Sequence, residues 1–397
     1  MKKEKILRNI LIALTIIMIV LFIYVLATRE DEGKKPVLPP KEEETEDISY
    51  VNDENIKLDL FDYFKMENHN QNMIYSPLSI NYAINMLYDG AANNTKTQID
   101  KLRRDLTKYN NYEKNLNIAN GLFIKPGVNI KQNYIDGLKN RYNAEIYNEL
   151  NINTINSWVK KNTLGLIDKA ADELDPSTVV FLVNALAIDM EWEHPFESGA
   201  GMTFNGKGLY QNMKNTVFSE DVLYSKEDNA VLLPLKQYGD TKLEVMLVMP
   251  ENLPEYINNL TAEDITKIDN NFKKVTEDGL TIVAPKFKYD YQLSFKEDLI
   301  KQGLTDMFTE AADFSNMSEE EQLIVTDAIH KATIDFSTEG VKAAAITGFG
   351  MKNGSVLGIH DTITFDKPFM YIIRDSKTKD IWFIGKVYEP TKMNESE

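Results

Sequence analysis

The chain has 397 residues, 43% of them hydrophobic and 26% charged, with a formal net charge of −17 and no cysteine. That balance suits a large globular unit. It excludes disulfides, thiol nucleophiles and Cys-held metals, and the lack of a basic block beyond the first residues argues against nucleic-acid binding.

The N-terminus comes first. Lys2, Lys3, Lys5 and Arg8 precede residues 10–27, eighteen residues whose only clearly polar member is Thr15. As a helix such a run spans roughly 27 Å, enough for a bilayer core. Positive charge before it and Glu30, Asp31 and Glu32 after it orient the bulk of the chain outside. A single-pass signal-anchor over residues 1–27 is expected, with the domain outside the cell membrane. The competing outcome is cleavage after Ala27 and secretion. Residues 28–46 hold Pro36, Pro39, Pro40 and Glu42 to Glu44, a solvated spacer. A domain over 47–392 and a tail over 393–397 follow.

Apolar spacing predicts an amphipathic helix over 51–65. A short strand at Met73, Ile74 and Tyr75 then runs into Ser76-Pro77, an N-cap followed by a first-turn proline, and the helix ends at Gly90. Ser76 and Ser79 read either as cap and satisfied core hydroxyl or as working groups at the base of a sheet. A helix is expected over 155–169. Residues 179–189 (VVFLVNALAID) read as a central strand covered on both faces, whose one interior amide, Asn184, needs partners. Strand alternation recurs at 230–235, 243–249, 280–287, 362–365, 370–374 and 381–387, with helices at 293–302 and around 306–308. The fold class is α+β with large, mostly antiparallel sheets.

Residues 330–361 are the most informative run. Ala332, Ile334 and Phe336 alternate with Thr333, Asp335 and Ser337 as in a strand. After Gly340, one parity holds Val341, Ala343, Ala345 and Thr347, all small, apolar or β-branched. The other holds Lys342, Ala344, Ile346 and Gly348. As a strand, the first set would face inward and Lys342 would face water. The run reads equally as a mobile Ala/Gly linker or as a loop ready to become a buried strand.

Seven stretches in fixed order now resemble one family, the serpins, over nearly all of 51–390. They are residues 72–99 (with SPLSI and DGAANNT), INSWVKKNTLGLI, VFLVNALAIDMEWEHPF, APKF, ADFS, 330–347, and FDKPFMYIIRDSKTKDIWFIGKV. The resemblance implies a serpin fold with an exposed C-terminal reactive loop. It also implies suicide inhibition of a protease, serine-type first and cysteine-type second, by a monomer without a cofactor. The implied hinge is Thr338, Glu339, Gly340, Val341, Ala343, Ala344, Ala345 and Thr347, with Gly340 at the bend. Thr338 departs from the Glu favoured there, and Val341 from the commoner small hydroxylated residue. Neither brings a charge or proline to the inward face. Trp192 matches the aromatic where the loop first enters the sheet. Ser76, Ser79, Asn184 and His330 match the polar cluster beneath it, with ordinary burial as the bland alternative for each. Counting from Gly340 puts the scissile bond at Gly354-Ser355. Counting back from Phe365 gives Leu357, and Lys352 is third.

An enzyme fares worse. Ser157 and Lys160 form a lone S-x-x-K without its companion motifs, and His69, His194, His330 and His360 show no metal-ligand spacing. The serious alternative is a non-inhibitory binding or surface protein of the same fold.

Overall fold

The computed structural model describes residues 64–65, 69–103, 116–294, 296–320, 322–326, 328–342 and 361–393. All of them fall in the unit running from Tyr50 to Glu397. The expected membrane segment, the spacer and most of the 51–65 helix lie outside them. Among the described residues no helix is long and apolar enough to cross a membrane.

A seven-stranded antiparallel sheet forms the back of the molecule. Its order is Met73–Tyr75, Ile381–Val387, Phe369–Asp375, Leu243–Val248, Ala230–Pro234, Leu223–Ser225 and Lys273–Lys274. Its middle strands are buried along their whole length, which explains their near-continuous apolar runs. A four-stranded sheet holds Asp361–Thr364, Leu280–Pro285, Asn212–Val217 and Glu197–Ser198, and its one parallel pair joins the first two. The next two sheets concern function. One runs Phe287–Ser294, Ile329–Phe336, Gly340–Lys342, Met190–Glu191; the other runs Glu145–Tyr147, Leu116–Ile124, Val180–Ile188. They are joined by the chain at Asp189.

The Pro77–Gly90 helix starts as its sequence demands. The Ser76 side chain accepts from the Ser79 amide, and Pro77 fills the first position where no N–H is needed. Three expectations are corrected. The 179–189 strand is indeed covered on both faces, since Leu182, Leu186 and Ile188 join the main core while Phe181, Val183 and Ala185 meet the Ile152–Asn162 helix. Among the described residues it is not central, because it has a strand partner on one edge only. The helix expected over 155–169 ends at Asn162, where the chain turns left-handed at Leu164 and Gly165. The 293–302 helix starts only at Lys296, because Phe287–Ser294 pairs in full register with Ile329–Phe336. Its alternation of Phe287, Tyr289 and Tyr291 with polar residues is a strand pattern, and the ladder wins.

Tyr289 pins that strand to the back sheet. Its hydroxyl meets the Tyr371 hydroxyl at 2.8 Å and donates to the Met73 carbonyl at 3.0 Å. The Tyr371 ring lies flat over its cross-strand partner Gly385, where an added Cβ would stand 2.2 Å from the Tyr371 oxygen and 2.5 Å from the Met73 carbonyl. Neither obstacle can yield, since both are buried in the ladder. Gly385→Ala is therefore expected to lose about 2 kcal/mol by overpacking, read as a lower urea midpoint with an unchanged slope.

Candidate functional site

The site lies between two strand edges that carry no described strand partner along most of their length. Val180–Ile188 pairs with Leu116–Ile124 along one edge, and Ile329–Phe336 pairs with Phe287–Ser294 along one edge. Their other edges face each other. Gly340–Lys342 lies between the sheet halves at one end only, pairing Asp335 and Phe336 on one side and Met190 and Glu191 on the other. Beside Val341 a small cavity of about 10 Å³ is lined by Leu186 and Ile188 on one flank and Thr333 and Ile334 on the other. Among the described residues no strand pairs with both flanks beyond Lys342.

The hinge is held by its backbone. Trp192 is buried, and its main-chain N–H donates to the Glu339 carbonyl while its indole N–H donates to the Ser337 carbonyl, both at 2.9 Å. Phe196 N–H donates to the Thr338 carbonyl at 2.9 Å. The Trp192 ring packs edge-on against Phe196 and Phe336. Val341 points inward and is 2% exposed, as its parity requires. Gly340 differs from expectation. Its backbone is not left-handed; instead an added Cβ would stand 2.1 Å from the Met190 carbonyl oxygen and 2.7 Å from the Glu191 Cα. Glycine is required there for close approach of two strands, not for a bend.

Below the hinge, the polar residues do converge. His330 Nε2 accepts the Ser76 N–H at 2.9 Å. The Ser79 hydroxyl donates to the Asn184 side-chain oxygen, and the Asn184 amide donates to Asn120 Oδ1 at 2.9 Å. Asn120 in turn donates to the Tyr142 carbonyl at 2.9 Å. His330 and Asn184 sit on Ile329–Phe336 and Val180–Ile188, the two strands whose edges lack a described partner, and the first turn of the Pro77–Gly90 helix connects them. Asn120 is a site residue that the sequence reading missed. It stands directly opposite Asn184 in the ladder, and a second interior Asn in the alternating run LNIANGLFI was the available signal.

Ala343, Ala344, Ala345 and Thr347, with the scissile candidates Gly354, Ser355, Leu357 and Lys352, lie outside the described residues. Ser157 and Lys160 are exposed on their helix, and Lys160 pairs with Asp168 at 2.8 Å. Ser219, Asp221 and His194 also meet at the surface. The carboxylate lies between the other two, so it is Asp221, not His194, that meets the hydroxyl.

Burial pushes the His330 pKa down to about 4. Between roughly pH 6.5 and that value the unfolded chain binds a proton that the folded chain refuses. The stability contribution is complete above the upper limit and is lost as pH falls through the window, about 3 kcal/mol in all. His330→Gln, whose side-chain oxygen can accept from Ser76, is expected to flatten the fall of melting temperature between pH 6.5 and 4. A slope as steep as the parent's would assign the acid sensitivity elsewhere. Gly340→Ala is expected to free the hinge from the Met190–Glu191 strand. The reporters are a shift in tryptophan emission and faster proteolysis after residue 337.

The family model described as "Serpin (serine protease inhibitor)" matches residues 52–390. An uncharacterized serpin-like protein of Methanosarcina mazei is 29% identical over 82% of this chain and 83% of its own length. The thyroxine-binding globulin of Sus scrofa is 26% identical over 96% of this chain and 99% of its own. Among solved structures, the thermophilic serpin tengpin in its native state superposes with a TM-score of 0.69 at 27% identity, covering 90% of this chain and 98% of that one.

Proposed function

The chain belongs to the serpin family, and from that premise we propose that it traps proteases as a suicide substrate. A serine-type protease, or in second place a cysteine-type one, cuts the loop after Gly354, Leu357 or Lys352, in that order of preference. The freed segment enters between Val180–Ile188 and Ile329–Phe336 as a strand before the acyl-enzyme hydrolyses.

One observation carries the reading: Val341, the first inward residue of the hinge, is buried and already seated between two strands, paired with Phe336 on one side and Met190 on the other. Ala343, Ala345 and Thr347 follow with the same parity and put no bulk or charge on the inward face. From Gly340 to Gly354 the loop extends roughly 45 Å as a strand. The nine-residue Val180–Ile188 flank measures about 30 Å on the same scale, so the loop spans it. The apolar segment over 10–27 and the spacer support an inhibitor domain displayed outside the membrane, or secreted if the chain is cut after Ala27.

The relative named thyroxine-binding globulin favours a second reading, a non-inhibitory binding protein. The two separate cleanly. The domain from Glu46 onward, incubated with trypsin-, chymotrypsin-, elastase- and papain-like proteases, is expected to give an adduct that survives denaturant and a released peptide of about forty residues by intact mass, as the spacing to the C-terminus dictates. Ala345→Asp would bury an unpaired charge on insertion and should turn the inhibitor into a substrate. Clean cleavage by a fully active protease, with thermal stability unchanged by the cut, would instead establish the binding protein.

A further inference from the structure

A second feature of the molecule involves neither the hinge nor the strands beside it. Three chain segments, 70–72, 204–210 and 388–389, contribute the walls of a cavity of about 410 Å³, within the range of small-molecule sites, roughly 300–1,000 Å³. Bonds within the fold fix those walls. The Asn72 side chain ties the entry to the first strand to the exit from the last. Its oxygen accepts the Tyr388 and Glu389 N–H groups at 2.7 and 2.9 Å, and its amide donates to the Glu389 carbonyl at 2.7 Å. On another wall, the Met202–Phe204 and Lys207–Tyr210 strands are joined by Asn205 at φ +51° and Gly206 at φ +69°. That is the Asn-Gly pair a two-residue hairpin turn demands. The Asn205 N–H donates to the Asp366 carbonyl at 2.6 Å.

The other polar side chains on those walls are unspent. Among the described residues Asn70, Gln71 and Asn205 make no side-chain hydrogen bond, and Lys207 makes no ion pair. Elsewhere in the fold the amides of Asn120, Asn156 and Asn184 are all used. The Tyr388 hydroxyl is buried at the same wall without a partner, another unmade bond. Glu389 is answered by Lys392 at 2.8 Å, which leaves Lys207 as the one unanswered charge among the described residues of the wall. The Tyr210 ring lies over Gly208, where an added Cβ would stand 2.8 Å from it, and meets Phe204 edge-on at 5.9 Å.

Each feature selects among occupants. One ammonium on a chain of net charge −17 is a poor host for a polyphosphate or a nucleic acid. The hairpin edge is already bridged between Tyr210 and Lys392, so an extended peptide finds no free edge there to pair with. A lipid tail would leave the polar wall groups unsatisfied. A sugar ring meets every requirement. An amide donates and accepts at once, as adjacent hydroxyls need, a tyrosine ring offers an apolar face to sugar C–H groups, and an ammonium pairs with a carboxylate. We propose that this cavity binds a saccharide unit bearing one carboxylate. Asn70, Gln71 and Asn205 hold its hydroxyls, Tyr210 packs against its ring, and Lys207 takes the carboxylate. The inference goes beyond protease trapping and does not depend on it. The extracytoplasmic placement proposed above guides only the choice of probes.

The test titrates the full chain in detergent, by saturation-transfer NMR and calorimetry, with three probes. They are a galacturonate trimer, the N-acetylglucosamine–N-acetylmuramic acid disaccharide of bacterial walls, and the uncharged N-acetylglucosamine trimer. At least one acidic probe is expected to bind about tenfold more tightly than the uncharged trimer, and the tighter of the two names the source. Lys207→Met should bring the acidic probe down to the affinity of the uncharged one. Asn205→Gly keeps the left-handed turn while removing the amide, and should weaken every probe that binds. Lys226→Met, at an exposed lysine elsewhere on the surface, should bind as the parent does. All three variants should melt at the parent temperature, so a lost affinity reports the cavity rather than the fold. No saturation transfer from any probe, equal affinity for acidic and uncharged probes, or parental affinity in both cavity variants would overturn the site. A chain that binds the glycan yet never traps a protease would sink the trapping mechanism alone.

Discussion

Two strand edges, those of Val180–Ile188 and Ile329–Phe336, that no described strand pairs over most of their length are the constraint on which this molecule depends. A strand added to an ordinary sheet edge pairs on one side, roughly one hydrogen bond per residue. At about 0.5–1.5 kcal/mol net per bond that barely offsets the 1–2 kcal/mol or so of backbone entropy lost on ordering each residue. A strand entering between Val180–Ile188 and Ile329–Phe336 pairs on both sides, doubling the gain for the same loss. On the proposed mechanism, pairing on both sides would make insertion downhill, and the small side chains of Ala343 and Ala345 would put little bulk in its way.

The two flanking strands are tied to one another. The Ser76–Ser79 turn does this from below, bonding to His330 on one flank and to Asn184 on the other. The cluster is buried and hydrogen-bonded, with Asn120 taking the second valence of Asn184, so it carries no desolvation penalty for an unpaired amide. The polarity has a physical use. Hydrogen bonds from a helix terminus to two separate strands can be exchanged as the strands part, whereas an interdigitated apolar seam would have to be pulled open as a unit. Burial of His330 in its neutral form is the cost of that arrangement, and it appears as acid sensitivity.

Much of this was legible in the chain. The inward parity of Val341, the Ser76 cap, the buried Trp192 and the convergence of His330, Asn184, Ser76 and Ser79 follow from periodicity together with family resemblance. What stayed hidden depends on neighbours distant in sequence. Gly340 looked like a bend because glycine usually marks one, yet the reason for it is the Met190 carbonyl, about 150 residues earlier in the chain. Val180–Ile188 looked central because both of its faces are apolar, and face burial carries no information about edges.

The fold alone cannot decide between trapping and carrying. Over nearly its whole length this chain resembles both a native thermophilic serpin and a globulin named for the thyroxine it binds. A scaffold shared so widely leaves function to the residues grafted on it. Those residues are few. One is Val341, which must be free to lead a strand inward. Others are the alternate small side chains behind it, which must not resist. A carrier built on this frame would be free to place a charge, a proline or a large ring at any inward position from Val341 to Thr347, since nothing there would ever have to enter the sheet. This chain places none.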